Sequence, residues 1–426
     1  MSTVLYNCPC CGAPLNYNGA SGKLECASCA NSYDTEDLAV YNEADAGEGI
    51  NFERPEGSFS AEEAGHIQAY KCSGCGAELV TDDTTTATEC PYCGSPVVLP
   101  DRIENGVRPE KVVPFVVEKE EARKMFEGYF KGKALIPNIF LNGRNRIAEM
   151  RKLYVPYWLF DCSARANMVF EAEKQRVERR GEWEFTHTDH YLARRNGGMS
   201  FADIPVDGIE KLDNAITESL EPYNIDAAVP FSPAVLAGAM ADNADAAADK
   251  CEERAVERVR NSVRDAMRST VTGYTSVSER SCSISTENGK ATPVLMPAWI
   301  ITTEKEGKTY TFAINGQTGK LTCDVPADKK KSFIWGAGVF AVAFAIISVI
   351  MYFADMLASG TLLVGGVVSL VISLIVLSVL KGQLKQAVSR YSAGDYMCEG
   401  SFGLTLKHDS FLYTKTTKRR IENGGK

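Results

Sequence analysis

Eight cysteines fall into two sets with the same spacing. Cys8, Cys11, Cys26 and Cys29 recur 64 residues later as Cys72, Cys75, Cys90 and Cys93. Both sets read Cys-x2-Cys, fourteen residues, Cys-x2-Cys, and both continue Cys-Gly-Ala after the second cysteine. That is an internal repeat. In this register Cys10 aligns with Gly74 and is a spare thiol. Two thiolates three apart on a tight turn chelate one side of a tetrahedral ion, and the second pair closes it, so each set predicts one structural Zn2+. A unit of about thirty residues buries too little apolar surface to fold alone, and metal binding would supply on the order of 10 kcal/mol of its folding free energy.

Other uses of these thiols fit less well. A redox pair belongs at a helix start in a βαβ context, whereas Cys72-Ser-Gly-Cys75 and Cys90-Pro-Tyr-Cys93 are flanked by glycine turns and short strand-like pieces such as Glu78-Leu-Val80. A disulfide framework needs an oxidising compartment. No signal peptide is read ahead of these residues, and Cys10, Cys162, Cys251, Cys282, Cys323 and Cys398 are scattered without pattern.

Charge then narrows the partner. Through residue 100 the basic residues are Lys23, Arg54 and Lys71, against fifteen acidic ones, and the whole chain carries a net charge of −9. Nucleic-acid affinity comes mainly from cations displacing counterions, and a basic patch is its footprint. Its absence here points the two modules toward protein recognition. The elements are therefore a zinc ribbon at 1–40, an acidic linker at 41–67 drawn from the run Asp34 to Gly65, and a second ribbon at 68–100.

Towards the C-terminus, Ser332 to Ala354 and Met356 to Leu380 are charge-free apolar runs. Each is long enough to cross a hydrocarbon core of about 30 Å, and with only Asp355 between them they predict a transmembrane hairpin, 332–354 and 356–380. Ala337, Ala341 and Ala345 in one span, and Gly365, Ser369 and Ser373 in the other, form small-residue stripes that permit close helix contact. Lys329, Lys330 and Lys331 before the hairpin, and Lys381, Lys385 and Arg390 after it, place both flanks in the cytoplasm by the positive-inside rule. Neither span holds an ionisable residue, so the hairpin reads as an anchor and not a transport path. The segment 381–426 reads as a basic cytoplasmic tail against anionic lipid.

Between them, 101–328 looks like a duplicated α+β domain. Val113-Pro-Phe115 leads to Val155-Pro-Tyr-Trp158, and Val229-Pro-Phe231 leads to Met296-Pro-Ala-Trp299. Trp299 onward, with Glu306-Gly307 and Asn315-Gly316 as turns, describes a β-meander. Pro233 to Arg268, with Ala248, Cys251, Ala255, Val259 and Val263 at helical spacing, predicts one long amphipathic helix.

A catalytic constellation is not found. His187-Thr-Asp-His190 sits in a strand-like stretch, where positions three apart face opposite sides. His66 and His408 stand alone, and the scattered cysteines have no histidine partner. Asn315-Gly-Gln-Thr-Gly319 lacks the glycine-lysine signature of a phosphate loop. The chain reads as a non-enzyme with no catalytic residues and no small-molecule site.

The double Cys-x2-Cys modules, Phe201-Ala-Asp-Ile-Pro-Val-Asp-Gly208, Val229-Pro-Phe-Ser-Pro-Ala234, the Pro-x-Trp strands, Tyr310-Thr-Phe-Ala-Ile-Asn-Gly-Gln-Thr-Gly-Lys320 and the hairpin resemble, in that order, a bacterial family. These are TFIIB-type zinc-ribbon membrane proteins of Gram-positive bacteria, often mislabelled primosomal or replication-restart helicases. The missing phosphate loop and the acidic charge are incompatible with a helicase motor. Some members are encoded beside phage-shock-protein-A-like and SPFH (stomatin-like) proteins and hold those soluble partners at the membrane, so the resemblance implies a membrane-stress role. The expectation is a two-pass cell-membrane protein with both termini cytoplasmic, recruiting protein partners through its ribbons. The alternative is a nucleic-acid-binding component of a membrane-associated replication or repair assembly.

Overall fold

The computed structural model describes residues 6–41, 52–54, 59, 67–72, 74–82, 90–93, 95, 97–98, 107–138, 150–236, 239–242, 244, 248–305, 308–323, 325–354, 359–384 and 387–420. A small antiparallel sheet opens the chain, β1 (Asn16–Asn18), β2 (Lys23–Glu25) and β3 (Ser32–Asp34), followed by the short helix α1 (Thr35–Tyr41). All other strands join one sheet. They are β4 (Phe52–Glu53), β5 (Ile67–Cys72), β6 (Glu78–Asp82), β7 (Val97–Val98) and β8 (Lys111–Val112), then, after helix α2 (Lys119–Tyr129), the long β9 (Arg151–Arg180) and β10 (Trp183–Asp207). Helix α3 (Asn214–Leu220), β11 (Val229–Pro230), β12 (Met240–Asp242) and helix α4 (Ala248–Ser269) follow. The chain continues through β13 (Ser276–Lys305), β14 (Lys308–Asn315), β15 (Leu321–Cys323), helices α5 (Lys329–Phe353) and α6 (Ser359–Gly382), and β16 (Gly403–Arg420). The middle is thus sheet-rich, flanked by the cysteine clusters and two apolar helices.

Four long strands make the frame, antiparallel in the order β13, β9, β10, β16. Their sequences alternate with period two: on β9, Cys162, Ala164, Ala166 and Met168 are buried while Arg165 and Asn167 are exposed. The buried set meets Ala255, Val259, Val263 and Met267, which lie at helical spacing on α4. Small side chains on the strands leave room for the helix, and burying each Val or Met contributes about 1.5–3 kcal/mol. The expected helix from Pro233 is shorter than the pattern suggested. Pro233–Leu236 makes a single tight turn, and Met240–Asp242 pairs parallel with β9 and antiparallel with β6, so α4 starts at Ala248.

Two further expectations change. The linker 41–67 is not wholly solvated: β4 pairs with β13, the Phe52 ring packs edge-on against Phe160 at 4.9 Å, and Arg54 donates to Asp249 at 2.8 Å and also to Glu252. Residues 42–51 lie outside the described set. The segment 381–426 is not a free basic tail either, because Gly403–Arg420 is paired with β10 over nearly its whole length. Gly197 makes the close approach possible: a Cβ there would lie 2.3 Å from the Gly403 carbonyl.

The two apolar helices are long and apolar enough to cross a bilayer. They pack on each other through Gly336, whose added Cβ would meet Leu377 at 2.8 Å, and Ser373, whose hydroxyl donates to the Gly336 carbonyl at 2.8 Å. Gly365 and buried Ser369 continue the contact, as their spacing predicts. Ala337, Ala341 and Ala345 do not take part: all three are exposed, one helical position away from the Gly336 face. Asp355 lies outside the described residues. Both ends of the pair are tied to the sheet domain. The Asp328 amide donates to Leu135 O at 2.8 Å, Lys331 Nζ to Ile136 O at 2.6 Å, and Tyr129 OH to Leu384 O at 3.2 Å.

Candidate metal centres

Each knuckle is built by the same backbone turns in both modules. The Cys8 amide donates to Ala13 O at 2.8 Å and Gly12 N to Cys8 O at 2.8 Å. Sixty-four residues on, Cys72 N donates to Ala77 O at 2.8 Å and Gly76 N to Cys72 O at 3.0 Å. Gly12 and Gly76 sit at φ +73° and +74°, a region costly for any residue with a Cβ. The second knuckles repeat too, with Cys26 N to Asn31 O at 2.9 Å and Cys90 N to Ser95 O at 2.8 Å. The sequence repeat is therefore a structural repeat.

These turns bring the thiols together. Cys8, Cys11, Cys26 and Cys29 have their sulfurs within 4.8 Å of one another, and so do Cys72, Cys75, Cys90 and Cys93. Closest approaches are 3.5 Å for Cys8 to Cys29 and for Cys11 to Cys26, 3.4 Å for Cys72 to Cys93, and 3.6 Å for Cys75 to Cys90. A disulfide would bring sulfurs to about 2.05 Å. A tetrahedron with metal–sulfur bonds of roughly 2.3 Å separates them by roughly 3.8 Å, so both sets fit one ion each. Cys10 lies outside the first set.

Donor groups point at three of the sulfurs, while burial and neighbouring thiols push the Cys75 and Cys90 thiols up. The Asn31 backbone N–H holds the Cys29 thiol down to about 6, and the Asn31 side-chain amide donates to the same sulfur at 3.3 Å. The Tyr33 hydroxyl lies 3.2 Å from Cys8 Sγ, and the Gly74 and Cys75 amides point at Cys72 Sγ at 3.3 and 3.4 Å. Such outer partners orient ligands and tune their charge. Ligand spacing alone identifies neither Tyr33 nor Asn31.

The modules are seated differently. The first lies on the sheet: Leu24, Tyr33 and Leu38 pack with Val169, Leu192 and Leu412. Arg194 faces Asp37 at 3.7 Å, and the Arg280 guanidinium lies 3.2 Å over the Tyr41 ring. The second is part of the sheet. Its β6 pairs with β12, and Tyr70, Ala77, Leu79 and Tyr92 share a core with Leu153, Val155 and Val294. Tyr92 OH also donates to buried Asp242 at 2.5 Å.

The remaining candidates stay apart. His187 Nδ1 meets Thr416 Oγ1 at 2.9 Å, while His190 stacks on Tyr413 at 4.4 Å on the other face of β10. His408 is exposed, and His66 lies outside the described residues. Burial pushes the Cys162 thiol up to about 12 and Cys251 to about 11, the reverse of an activated nucleophile. Asn315–Gly319 is a hairpin turn in which Asn315 Oδ1 accepts from the Gln317 and Thr318 amides at 2.8 and 2.9 Å.

A buried ionic network was not legible at all. Glu221, fully buried, takes both terminal nitrogens of Arg258 at 3.1 and 2.8 Å and the Tyr396 hydroxyl at 2.7 Å. Arg254 bridges Asp207 at 2.7 Å and Glu218 at 2.5 Å, and Glu218 accepts from the Arg390 amide at 2.6 Å. This network holds the strap 387–396, which follows the second apolar helix, against α3 and α4. Arg254 and Arg258 look like solvated positions on a helical wheel, and only the folded strap shows otherwise.

No family model matches the chain, and no solved structure matches it. It is similar to the Bacillus subtilis (strain 168) protein described as "Uncharacterized protein YdjG", with 31% identity over 347 residues that cover 82% of this chain and 97% of that protein. The match spans most of both chains, and so this chain belongs to the same family as YdjG.

Proposed function

We propose that the chain is a membrane-anchored cytoplasmic adaptor that brings soluble proteins to the membrane. On this reading the two modules are zinc ribbons, each holding one structural Zn2+ through four thiolates, which suits a soft tetrahedral site. The middle is a duplicated α+β domain, and the hairpin crosses the bilayer twice with both ends in the cytoplasm, as Lys329 to Lys331 and Lys381 suggest. The observation that carries the proposal is the direct tie between anchor and sheet at Leu135, Ile136 and Leu384, which fixes the first module on a platform joined to both helix ends. Anchoring raises the local concentration of a partner without new contact chemistry. The resemblance to zinc-ribbon anchors of stress systems suggests SPFH (stomatin-like) and phage-shock-protein-A-like proteins as partners.

Because the second module is built into the core, the first is the one to perturb. After nuclease treatment and mild-detergent purification from native membranes, the wild-type chain should bring down defined proteins that a Cys8→Ser/Cys11→Ser variant loses. Recovery of the same proteins by the variant, or of none by the wild type, would overturn the proposal. For the topology, a membrane-impermeant thiol reagent applied to intact cells should reach a cysteine placed at Ser359 and miss one at Ser2.

A further inference from the structure

Beyond the end of α4 on one face and the first module on the other, the ribbon β9–β10–β16 runs on with none of the described residues packed against it. Residues 174–183 and 414–420 are exposed without interruption, on both faces. Strand register decides what each face carries. On the face continuous with α4, Trp183, Phe185, His187 and Asp189 occupy the central strand, Arg180, Glu178 and Arg176 lie on the β9 side with Glu178 opposite Phe185, and Lys418 and Arg420 lie on the β16 side. Lys418 Nζ is 3.8 Å above the Trp183 ring, and Arg180 is 5.7 Å from the Phe185 ring. Residues 174–189 and 414–420 together hold eight Lys and Arg against four carboxylates, in a chain of net charge −9. The two halves of this patch are more than 200 residues apart in sequence, so only the fold assembles it.

We propose that this bare ribbon is a platform for single-stranded nucleic acid, with bases stacking on Trp183 and Phe185 and phosphates held by the flanking cations. A π-surface bordered by cations on a sheet face is what single strands require. Charged residues also guard sheet edges against pairing, and Lys415 on β16 serves that purpose. Edge protection gives no reason for two aromatics on the central strand. An acidic protein would use the cations and leave the ring pair without a role; a bilayer interface would seat both rings and cations, and the vesicle measurement below tests for it. Arg176, Arg179, Arg180 and Arg420 contact carboxylates at 2.6–3.3 Å, but exposed pairs hold little free energy and reorganise around a phosphate. The site uses no cysteine and is separate from partner recruitment.

The test uses the full chain in phosphatidylcholine nanodiscs and a fluorescent oligouridylate of roughly 20 nucleotides, long enough for several stacking sites. Anisotropy should report binding whose log–log salt slope is about −3, the value for about four neutralised phosphates. Trp183→Ala should weaken it about tenfold, the loss of one stacked base, and Lys418→Glu should weaken it and flatten the slope. Unchanged metal content and melting would show that the variants fold. Absence of binding at low salt overturns the proposal. So does equal affinity for polyglutamate with no effect of Trp183→Ala, which would mark an acidic-protein surface, or binding only to phosphatidylglycerol vesicles. Retention of oligouridylate by Cys8→Ser/Cys11→Ser separates this site from the adaptor reading.

Discussion

Replacing Arg258 by Met removes the guanidinium that pairs with Glu221 through two hydrogen bonds and leaves a carboxylate with no solvent contact. Tyr396 still donates to it, and Arg390 Nε lies 3.8 Å away, so the charge is under-compensated but not isolated. Breaking one side of a buried pair costs about 3–5 kcal/mol, and the residual partners put this case near the lower end, ~3 kcal/mol. For a domain of this size each kcal/mol moves the midpoint by about 2–4 °C, giving a fall of roughly 6–12 °C at pH 7.5. Burial already raises the Glu221 carboxyl pKa above its usual 4.5 despite Arg258, and the substitution raises it further. The folded variant then binds a proton that the unfolded chain has released, so the contribution of this one carboxyl to stability is fully present below pH 4.5 and is lost as pH rises through the folded value. The deficit relative to wild type should shrink on acidification towards about pH 5. Thermal unfolding of the full chain in detergent, followed by tryptophan fluorescence, measures both quantities. The double variant Arg258→Met/Glu221→Leu, which removes both charges, should recover most of the loss. A fall under about 2 °C for the single variant, or a double variant as unstable as the single one, would refute this account of the network.

Removing the metal should separate the two modules. On the proposed reading of one Zn2+ per module, Cys72→Ser/Cys75→Ser should lower zinc content from two ions to one and destabilise the sheet core around Tyr92 and Leu79, whereas Cys8→Ser/Cys11→Ser should lose one ion with the main melting transition kept, read by metal analysis and calorimetry. Iodoacetamide at about pH 8, near the ordinary thiol value, should spare Cys162 and Cys251, whose thiols are pushed up to about 12 and about 11, until denaturant is added; mass mapping of rapid native labelling there would contradict their burial. Gly336→Ile should wedge the apolar helices apart, since its Cβ meets Leu377 at 2.8 Å, and Ser373→Val should cost about 0.6 kcal/mol through the lost bond to Gly336 O. Proximity of paired fluorophores across the helices would report both.

Local chemistry was legible and long-range pairing was not. Cysteine spacing determined which sulfurs meet, because each knuckle is a short turn whose geometry the chain sets by itself. The apolar runs were equally plain, since a bilayer-length segment needs no partner to be recognised. The last strand was missed because Lys415 to Arg420 is charged on both faces and has no alternation to read; its identity comes from pairing with Trp183 to Gly198, over 200 residues earlier. The overlong helix expected from Pro233 had a similar cause: the alanine-rich stretch before Ala248 fits a helix, and only the neighbouring β9 and β6 make strand β12 the better use of Met240 to Asp242. Arg254 and Arg258 were hidden because helical position predicts exposure only until another segment covers it.

The order of elements along the chain also sets an order of assembly. β9 and β10 leave the ribosome well before α5 and α6, but the strand that caps the open edge of β10 leaves after both. During synthesis the sheet therefore stands with an unpaired edge of some sixteen residues until both apolar helices have been made. Completion of the sheet therefore comes last in synthesis, after the whole helical hairpin, and the final strand closes it.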